Sequence, residues 1–154
     1  MTEIWFYHLQ RQSLENVLPG LIEKSLEKGW RVAVQAMSEE RLDALDNWLW
    51  TYSEASFLAH GRARDGDGEL QPVYLSTGGE NPNGAAVRFF VEGAPMAEVL
   101  ARPDGSYVRA ITVFDGNDDE ELALARAQWK ELKDLGFALT YWQQSDAGRW
   151  ERKV

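Results

Sequence analysis

Residues 4–9, IWFYHL, form a near-continuous apolar and aromatic run close to the start of the chain. A strand with one solvated face alternates apolar and polar residues, whereas an unbroken apolar run is typical of a strand buried on both faces. Such strands lie inside parallel sheets that helices cover on both sides. This run therefore predicts a central strand of a parallel sheet, in which His8 is more typical of a core residue than of a catalyst.

The segments that follow predict alternating helices and strands. Residues 13–28 carry apolar side chains at helical spacing and end at Gly29, and residues 39–50 do so after Ser38, a typical capping residue. Pro19 either kinks the first helix or marks its first ordered turn. This order indicates right-handed crossovers over a parallel sheet. We expect strands at 4–9, 30–37, 72–76, 85–91, 107–114 and 137–143, and helices at 13–28, 39–50, 94–101 and 118–136.

The last long helix, residues 118–136 (DDEELALARAQWKELKDLG), carries the most informative surface. Acids at its start and lysines near its end match the helix dipole, and Gly136 ends it. The apolar stripe of this helix consists of Leu122, Ala125, Trp129 and Leu132. The adjacent basic row consists of Arg126, Lys130 and Lys133. The pattern fits either a core-packed Trp129 beside solvated cations or a pocket for a peptide with an apolar end and a free carboxylate. It does not choose between these two interpretations.

Length and composition predict one domain. Of the 154 residues, 44% are hydrophobic, which allows one sizeable core but not two ordinary domains. We expect a single three-layer α/β domain over residues 1–154, Rossmann-like, with a mostly parallel central sheet flanked by helices. Residues 62–70 are expected to form a flexible loop and residues 145–154 a C-terminal extension. Without cysteine, a basic leader or an apolar run near the ~20 residues of a membrane span, the chain is expected to be cytoplasmic.

The sequence contains no recognisable catalytic motif. HExxH, GxSxG and GxGxxG are absent, and the glycines within 78–84 are not followed by the Gly-Lys-Ser/Thr of a phosphate loop. His8 and His60 lack a partner at metal-ligand spacing, and the acids at 115–121 are typical of a solvated helix start. We therefore expect no catalytic residue, no cofactor and no metal. The formal net charge of -9 disfavours extensive direct contact with DNA but allows a local basic patch.

Four segments together resemble the chi subunit of bacterial DNA polymerase III. They are FYHL at 6–9, LDNWLWTYSEASFLAHG at 45–61, PVYL at 72–75 and FDGNDDEELALARAQWKELKDLGF at 114–137. Each segment by itself has low specificity for this family. The specific signal is a W-x6-F-x2-H block followed by a DG…AR-x2-aromatic-K-x5-GF block, with the segment order intact over most of the chain.

The resemblance implies a non-catalytic accessory subunit of the DNA-directed DNA polymerase III complex at the replication fork. Members of this family link the clamp loader to single-stranded-DNA-binding protein by binding its acidic C-terminal tail, which ends in Pro-Phe. They also bind the psi subunit, and their contact with DNA is indirect. By motif, the resemblance places the tail pocket at Trp50, Phe57, Arg126, Trp129, Lys130 and Lys133. One turn before Arg126 some members carry a lysine where this chain has Leu122, so a positive charge is missing unless Lys133 compensates.

Two other classes of function stay open from the sequence. A parallel α/β sheet is a common frame for nucleotide-binding or nucleotide-hydrolysing enzymes, but that argument rests on fold analogy alone. A direct DNA-binding module is disfavoured by the acidic composition. Neither the docking surface for a psi subunit nor the oligomeric state is predicted from the sequence.

Overall fold

The computed structural model describes residues 2–10, 12–51, 60–62, 65–66, 68–101, 107–145, 147 and 149–153, without the side chains of residues 50 and 51. Within these ranges, no helix combines the length and the apolar character needed to cross a membrane. The strands are β1 Glu3–Leu9, β2 Val32–Gln35, β3 Gly61–Arg62, β4 Val73–Ser76, β5 Val87–Phe90, β6 Arg109–Asp115, β7 Ala138–Gln144 and β8 Trp150–Arg152. The helices are α1 Leu14–Glu27, α2 Glu39–Thr51, α3 Ala97–Leu100 and α4 Asp119–Asp134.

The described strands form one mixed sheet in the order β3-β4-β2-β5-β6-β1-β7-β8. Neighbours from β3 to β7 are parallel, and only the β7–β8 pair is antiparallel. The strand predicted from IWFYHL is β1, which lies between β6 and β7. Ile4 and Phe6 are buried on one face and Tyr7 and Leu9 on the other, as expected for a strand covered on both faces, while Trp5 is half-buried.

Helices cover both faces of the sheet and give the domain three layers. On one face, apolar residues of α1 and α2, such as Leu18 and Leu45, pack with β2, β4 and β5. On the other face, residues of α3 and α4, such as Leu100 and Leu132, pack with Phe6 of β1 and with β5 and β6. The predicted three-layer α/β domain with a mostly parallel sheet is thus confirmed.

The first helix, α1, contains a proline, and a side chain of α2 compensates for the hydrogen bond that this proline cannot donate. The side chain of Ser13 accepts a hydrogen bond from the backbone N–H of Asn16, so the helix begins at Leu14. Pro19 lies inside the helix and has no N–H to donate to the carbonyl of Glu15. The indole of Trp48 in α2 donates to that carbonyl instead. The alternative that the first ordered turn begins at Pro19 is therefore wrong.

Two short edge strands lie in segments that the sequence predicted as a loop and an extension. Arg62 belongs to β3, and its buried guanidinium is paired with Glu39 and Asp43 of α2. Residues 63, 64 and 67 of the predicted 62–70 loop lie outside the described residues, so its flexibility stays a prediction. The segment Trp150–Arg152 pairs with β7 as an antiparallel strand. Strands of two or three residues carry no periodicity that sequence analysis can detect.

Candidate functional site

The fourth helix is held at both ends by interactions that its sequence predicts. The carboxylate of Asp118 accepts hydrogen bonds from the backbone N–H groups of Glu120 and Glu121, at 2.9 and 3.1 Å. Gly136 adopts a φ of 89°, a left-handed conformation that glycine reaches without strain, just after the helix ends. These caps fix where α4 begins and ends, and with it the side chains that project between α4 and β7.

A groove of about 570 Å³ lies between α4 and the edge of the sheet. We call it the α4 groove, and its lining consists of Ala125, Arg126, Trp129, Lys133, Tyr141 and Lys153. Its volume falls in the usual range for sites that hold small ligands or side chains, roughly 300–1,000 Å³. Of the six lining residues in the described part of the chain, three are cationic and none is acidic, although the whole chain carries a formal net charge of -9.

The aromatic wall of this groove is also part of the core. Trp129 is half-buried, and its ring meets the rings of Phe6 and Tyr141 edge to face, with centroids 5.1 and 5.7 Å apart. Such contacts are worth about 0.5–1.5 kcal/mol beyond the burial of area. Trp129 therefore packs inward and still presents a surface to the groove, while binding of a peptide there stays a prediction.

A histidine behind the groove fixes the position of Tyr141. The Nδ1 atom of His8 lies 2.6 Å from the hydroxyl of Tyr141. Burial, followed by the positive charge of Arg126, lowers the pKa of His8, while Asp115 opposes this shift. Burial also raises the pKa of Tyr141, against the opposing charge of Arg126. A neutral imidazole and a neutral phenol therefore lie behind the cationic groove at neutral pH.

The structure brings together half of the predicted site residues. Arg126, Trp129 and Lys133 line the α4 groove, whereas Lys130 is exposed on the same helix and does not line it. The side chain of Trp50 and the whole of Phe57 lie outside the described residues, so their predicted roles remain predictions.

Sequence analysis missed two groove residues, Tyr141 and Lys153. Tyr141 lies in β7 beside Phe6, and only the parallel pairing of β1 with β7 brings it next to α4. The backbone N–H of Lys153 donates to the carbonyl of Tyr141, which brings this residue to the groove from the end of β8. Leu122, at the position of the missing family lysine, is half-buried against the core.

The edge where nucleotides bind in many doubly wound folds is acidic in this chain. A cavity of about 150 Å³ lies at the carboxyl ends of β1 and β6, the usual place for a ligand crevice. It is lined by Glu15, Glu92, Asp115 and Glu121, with Arg41 already paired to Glu15 at 3.1 Å. Four carboxylates against one guanidinium repel phosphate groups. Among the described residues, no group of three or more acids and histidines is arranged to hold a metal ion.

These features define a three-layer α/β domain with a cationic, aromatic-walled groove outside its last helix and an acidic crevice at its strand ends. The chain belongs to the family of the DNA polymerase III chi subunit, HolC, whose sequence model matches residues 1–140. The resemblance found from the quoted segments is thus confirmed. The family is named for a subunit of DNA polymerase III.

One curated relative supports the same assignment. The chain is 27% identical over 100 residues to a probable DNA polymerase III subunit chi of Rickettsia prowazekii (strain Madrid E). The match covers 65% of this chain and 61% of the relative, so the chain spans about three fifths of the relative's length. The strand β8 and the groove residues Tyr141 and Lys153 lie beyond the segment that the family model matches.

Proposed function

We propose that the chain is a non-catalytic adaptor that links the clamp loader of DNA polymerase III to single-stranded-DNA-binding protein. It does so by binding the acidic C-terminal tail of that protein in the α4 groove. The observation that carries this proposal is a groove that joins three cations to two aromatic rings and has no acidic lining residue. A tail that ends in an aromatic side chain and a free carboxylate matches both halves of this lining.

The chemistry of capture follows from the two kinds of lining residue. The planar guanidinium of Arg126 can donate two parallel hydrogen bonds to a terminal carboxylate, and the ammonium groups of Lys133 and Lys153 attract the preceding acids. The rings of Trp129 and Tyr141 offer apolar faces to the terminal phenylalanine ring of the tail. The tail thus keeps its charges near the rim and buries its last side chain.

Charge favours this groove over the acidic crevice at the strand ends. The formal net charge of -9 repels an acidic peptide at long range, but salt screens that repulsion beyond about 8–10 Å. Inside this distance the cations of the groove act directly on the peptide, although Glu151 lies 3.7 Å from Lys153 and offsets part of its charge. The proposal therefore requires an attraction that weakens as ionic strength rises.

The same proposal includes a second protein partner, which connects the chain to the clamp loader. An adaptor needs a separate surface for the clamp loader, and a psi subunit is the partner that the resemblance implies. Trp50 and Phe57 come from the segment for which side chains are not described, so both the tail and the psi subunit are candidates for these residues.

The direct test is a calorimetric titration with an acidic peptide that ends in Pro-Phe. We expect binding by the peptide with a free carboxylate, and at least about tenfold weaker binding by the same peptide with an amidated end, because hydrogen bonds to a charged group are worth about 1.5–3 kcal/mol. A scrambled peptide of equal charge is the control for attraction that depends on charge alone. Equal affinity for the free and amidated peptides contradicts the proposal.

A further inference from the structure

A second groove, of about 410 Å³, lies on the opposite face of the sheet from α4. We call it the aromatic groove. Its main lining residues are Trp5, Trp30, Trp142, Trp150, Lys28 and Arg109. All four tryptophans are half-buried, so each presents part of its ring at the surface. Tryptophan is enriched at binding interfaces, because its ring is apolar and its N–H can meet a polar partner.

The groove exists because helices cover only part of this face. α1 packs on β2, β6 and α2, and the strands beyond it are covered by their own aromatic side chains. The register places Tyr7 opposite Trp142, and the Trp5 and Trp142 ring centroids lie 5.8 Å apart. Trp150 of β8 extends this row, with its ring 4.7 Å from that of Tyr7.

Cations lie among these rings. The guanidinium carbon of Arg109 lies 3.8 Å from the ring centroid of Trp5 and 5.4 Å from that of Trp30. The ammonium of Lys28 lies 5.0 Å from the ring centroid of Trp30, and Lys24 lines the groove one turn earlier on α1. Among the described lining residues, Glu27 is the one acid against these three cations, and Glu3, outside the lining, lies 3.4 Å from Arg109. The groove is thus locally basic.

Two hydrogen-bond donors of this surface are unsatisfied. In the described part of the chain, Nε of Arg109 and Nε1 of Trp142 are buried and have no hydrogen-bond partner. An unsatisfied buried donor destabilises the folded chain. A ligand that supplies acceptor oxygens while the neighbouring rings adjust reduces this destabilisation.

We propose that the aromatic groove binds a short segment of single-stranded nucleic acid. Bases stack on the indole rings, and phosphates meet Lys24, Lys28 and Arg109, which is the combination that single-strand-binding surfaces use without reading sequence. An acidic peptide matches the cations but offers few flat rings for four tryptophans. A duplex hides the faces of its bases, so the groove selects single strands. This function is separate from capture of a protein tail in the α4 groove.

The test is fluorescence anisotropy with the full chain and a labelled oligothymidylate of about 15 nucleotides, near the upper end of the usual site size. Lys24→Glu/Lys28→Glu reverses two exposed lysines on this face, and Lys130→Glu/Lys133→Glu makes the same change in charge on the opposite face. We expect the first pair to weaken strand binding roughly tenfold or more and the second pair to change it less than about twofold. For wild type, three phosphate contacts predict a slope of about -2 for log K against log salt.

Trp150→Ala separates stacking from charge, because it removes a ring and leaves every cation in place. We expect weaker strand binding with an unchanged salt slope. The proposal is overturned if wild type does not bind the strand at low salt, if duplex DNA binds equally well, or if both charge reversals act equally. It is also overturned if Lys24→Glu/Lys28→Glu abolishes binding of a polyglutamate peptide and leaves strand binding intact, since the groove is then a peptide site.

Discussion

The α4 groove and the aromatic groove lie on opposite faces of one sheet and use the same residue types differently. In the α4 groove, Arg126 and Lys133 project from a helix, and no acidic residue is in the lining. In the aromatic groove, Arg109 lies against Trp5 and is also 3.4 Å from the carboxylate of Glu3. Cations with no acid among the lining residues suit a carboxylate ligand, whereas cations held among rings suit a ligand that stacks.

The same two strands complete both grooves. Successive residues of a strand point to opposite faces, so Tyr141 lines the α4 groove and Trp142 lines the aromatic groove. β8 contributes Trp150 to one groove, and Lys153, just after it, belongs to the other. The segment beyond the residues that the family model matches is therefore where this chain adds to both surfaces.

Replacing Trp129 by alanine should have the largest effect. The change removes edge-to-face contacts with Phe6 and Tyr141, and we expect a loss of about 3 kcal/mol in the free energy of unfolding, at the low end for Trp→Ala because the ring is half-buried. Tail-peptide binding should fall as well. Urea denaturation and peptide titration measure the two effects. A variant that unfolds and binds like wild type refutes the assignment of Trp129 to the wall.

Trp150→Ala should show whether the two grooves act independently. Loss of the contact with Tyr7 is expected to lower the free energy of unfolding by about 1–2 kcal/mol, since the ring is half-buried at the edge of the sheet. Tail-peptide affinity should stay within about twofold of wild type, because Trp150 does not line the α4 groove and the change removes none of its lining residues. The same denaturation and titration apply. A loss of peptide affinity as large as that of Trp129→Ala shows that the two grooves are not independent.

Lys153→Ala should have a smaller effect, confined to the α4 groove. Lys153 is exposed and lies 3.7 Å from Glu151, so it contributes only part of its charge to a ligand. We expect a loss of about 0.2–1 kcal/mol in tail-peptide affinity at low salt, fading as salt is added. Arg149→Ala is the matched control, because Arg149 is exposed and does not line the groove. Identical titrations for both variants exclude Lys153 from tail binding.

The smallest effect concerns pH and His8. Because the pKa of His8 is lowered from its ordinary value of 6.5, the unfolded chain binds more protons than the folded chain as pH falls below 6.5. The contribution of His8 to stability is therefore complete above that pH and is lost as pH falls towards the folded-state pKa. His8→Gln removes this titration, so the stability difference between variant and wild type should shift in favour of the variant from pH 7.5 to 5.5. Denaturation at both pH values measures it, and a constant difference contradicts the assignment.

The α4 groove was partly predictable because several of its lining residues lie in one helix. Caps, charges and the spacing of Arg126, Trp129 and Lys133 all lie within one helix, where a period of 3.6 residues sets the geometry. Tyr141 and Lys153 reach the groove only through the pairing of β7 with β1 and β8. The sequence offered no pattern for β8, so the cation at its end could not be assigned.

The aromatic groove was not predictable from the sequence at all. Trp5, Trp30, Trp142 and Trp150 are far apart in the chain and come together only through the strand order. Near-continuous apolar runs correctly indicated buried strands, but they do not show which part of a face the helices leave uncovered. These tryptophans are half-buried because of where α1 packs on the sheet. That position is set by the tertiary structure and not by any local sequence pattern.

We expect the cations that line the α4 groove, rather than the basic row of the helix as a whole, to capture a terminal carboxylate. Calorimetric titration of the Pro-Phe tail peptide into wild type, Arg126→Ala and Lys130→Ala tests it directly, since both cations are exposed on α4 but only Arg126 lines the groove. We expect Arg126→Ala to lose about 1.5–3 kcal/mol of affinity and Lys130→Ala less than about 0.5 kcal/mol, with unfolding unchanged in both. Equal losses for the two variants, or no binding by wild type, contradict the claim.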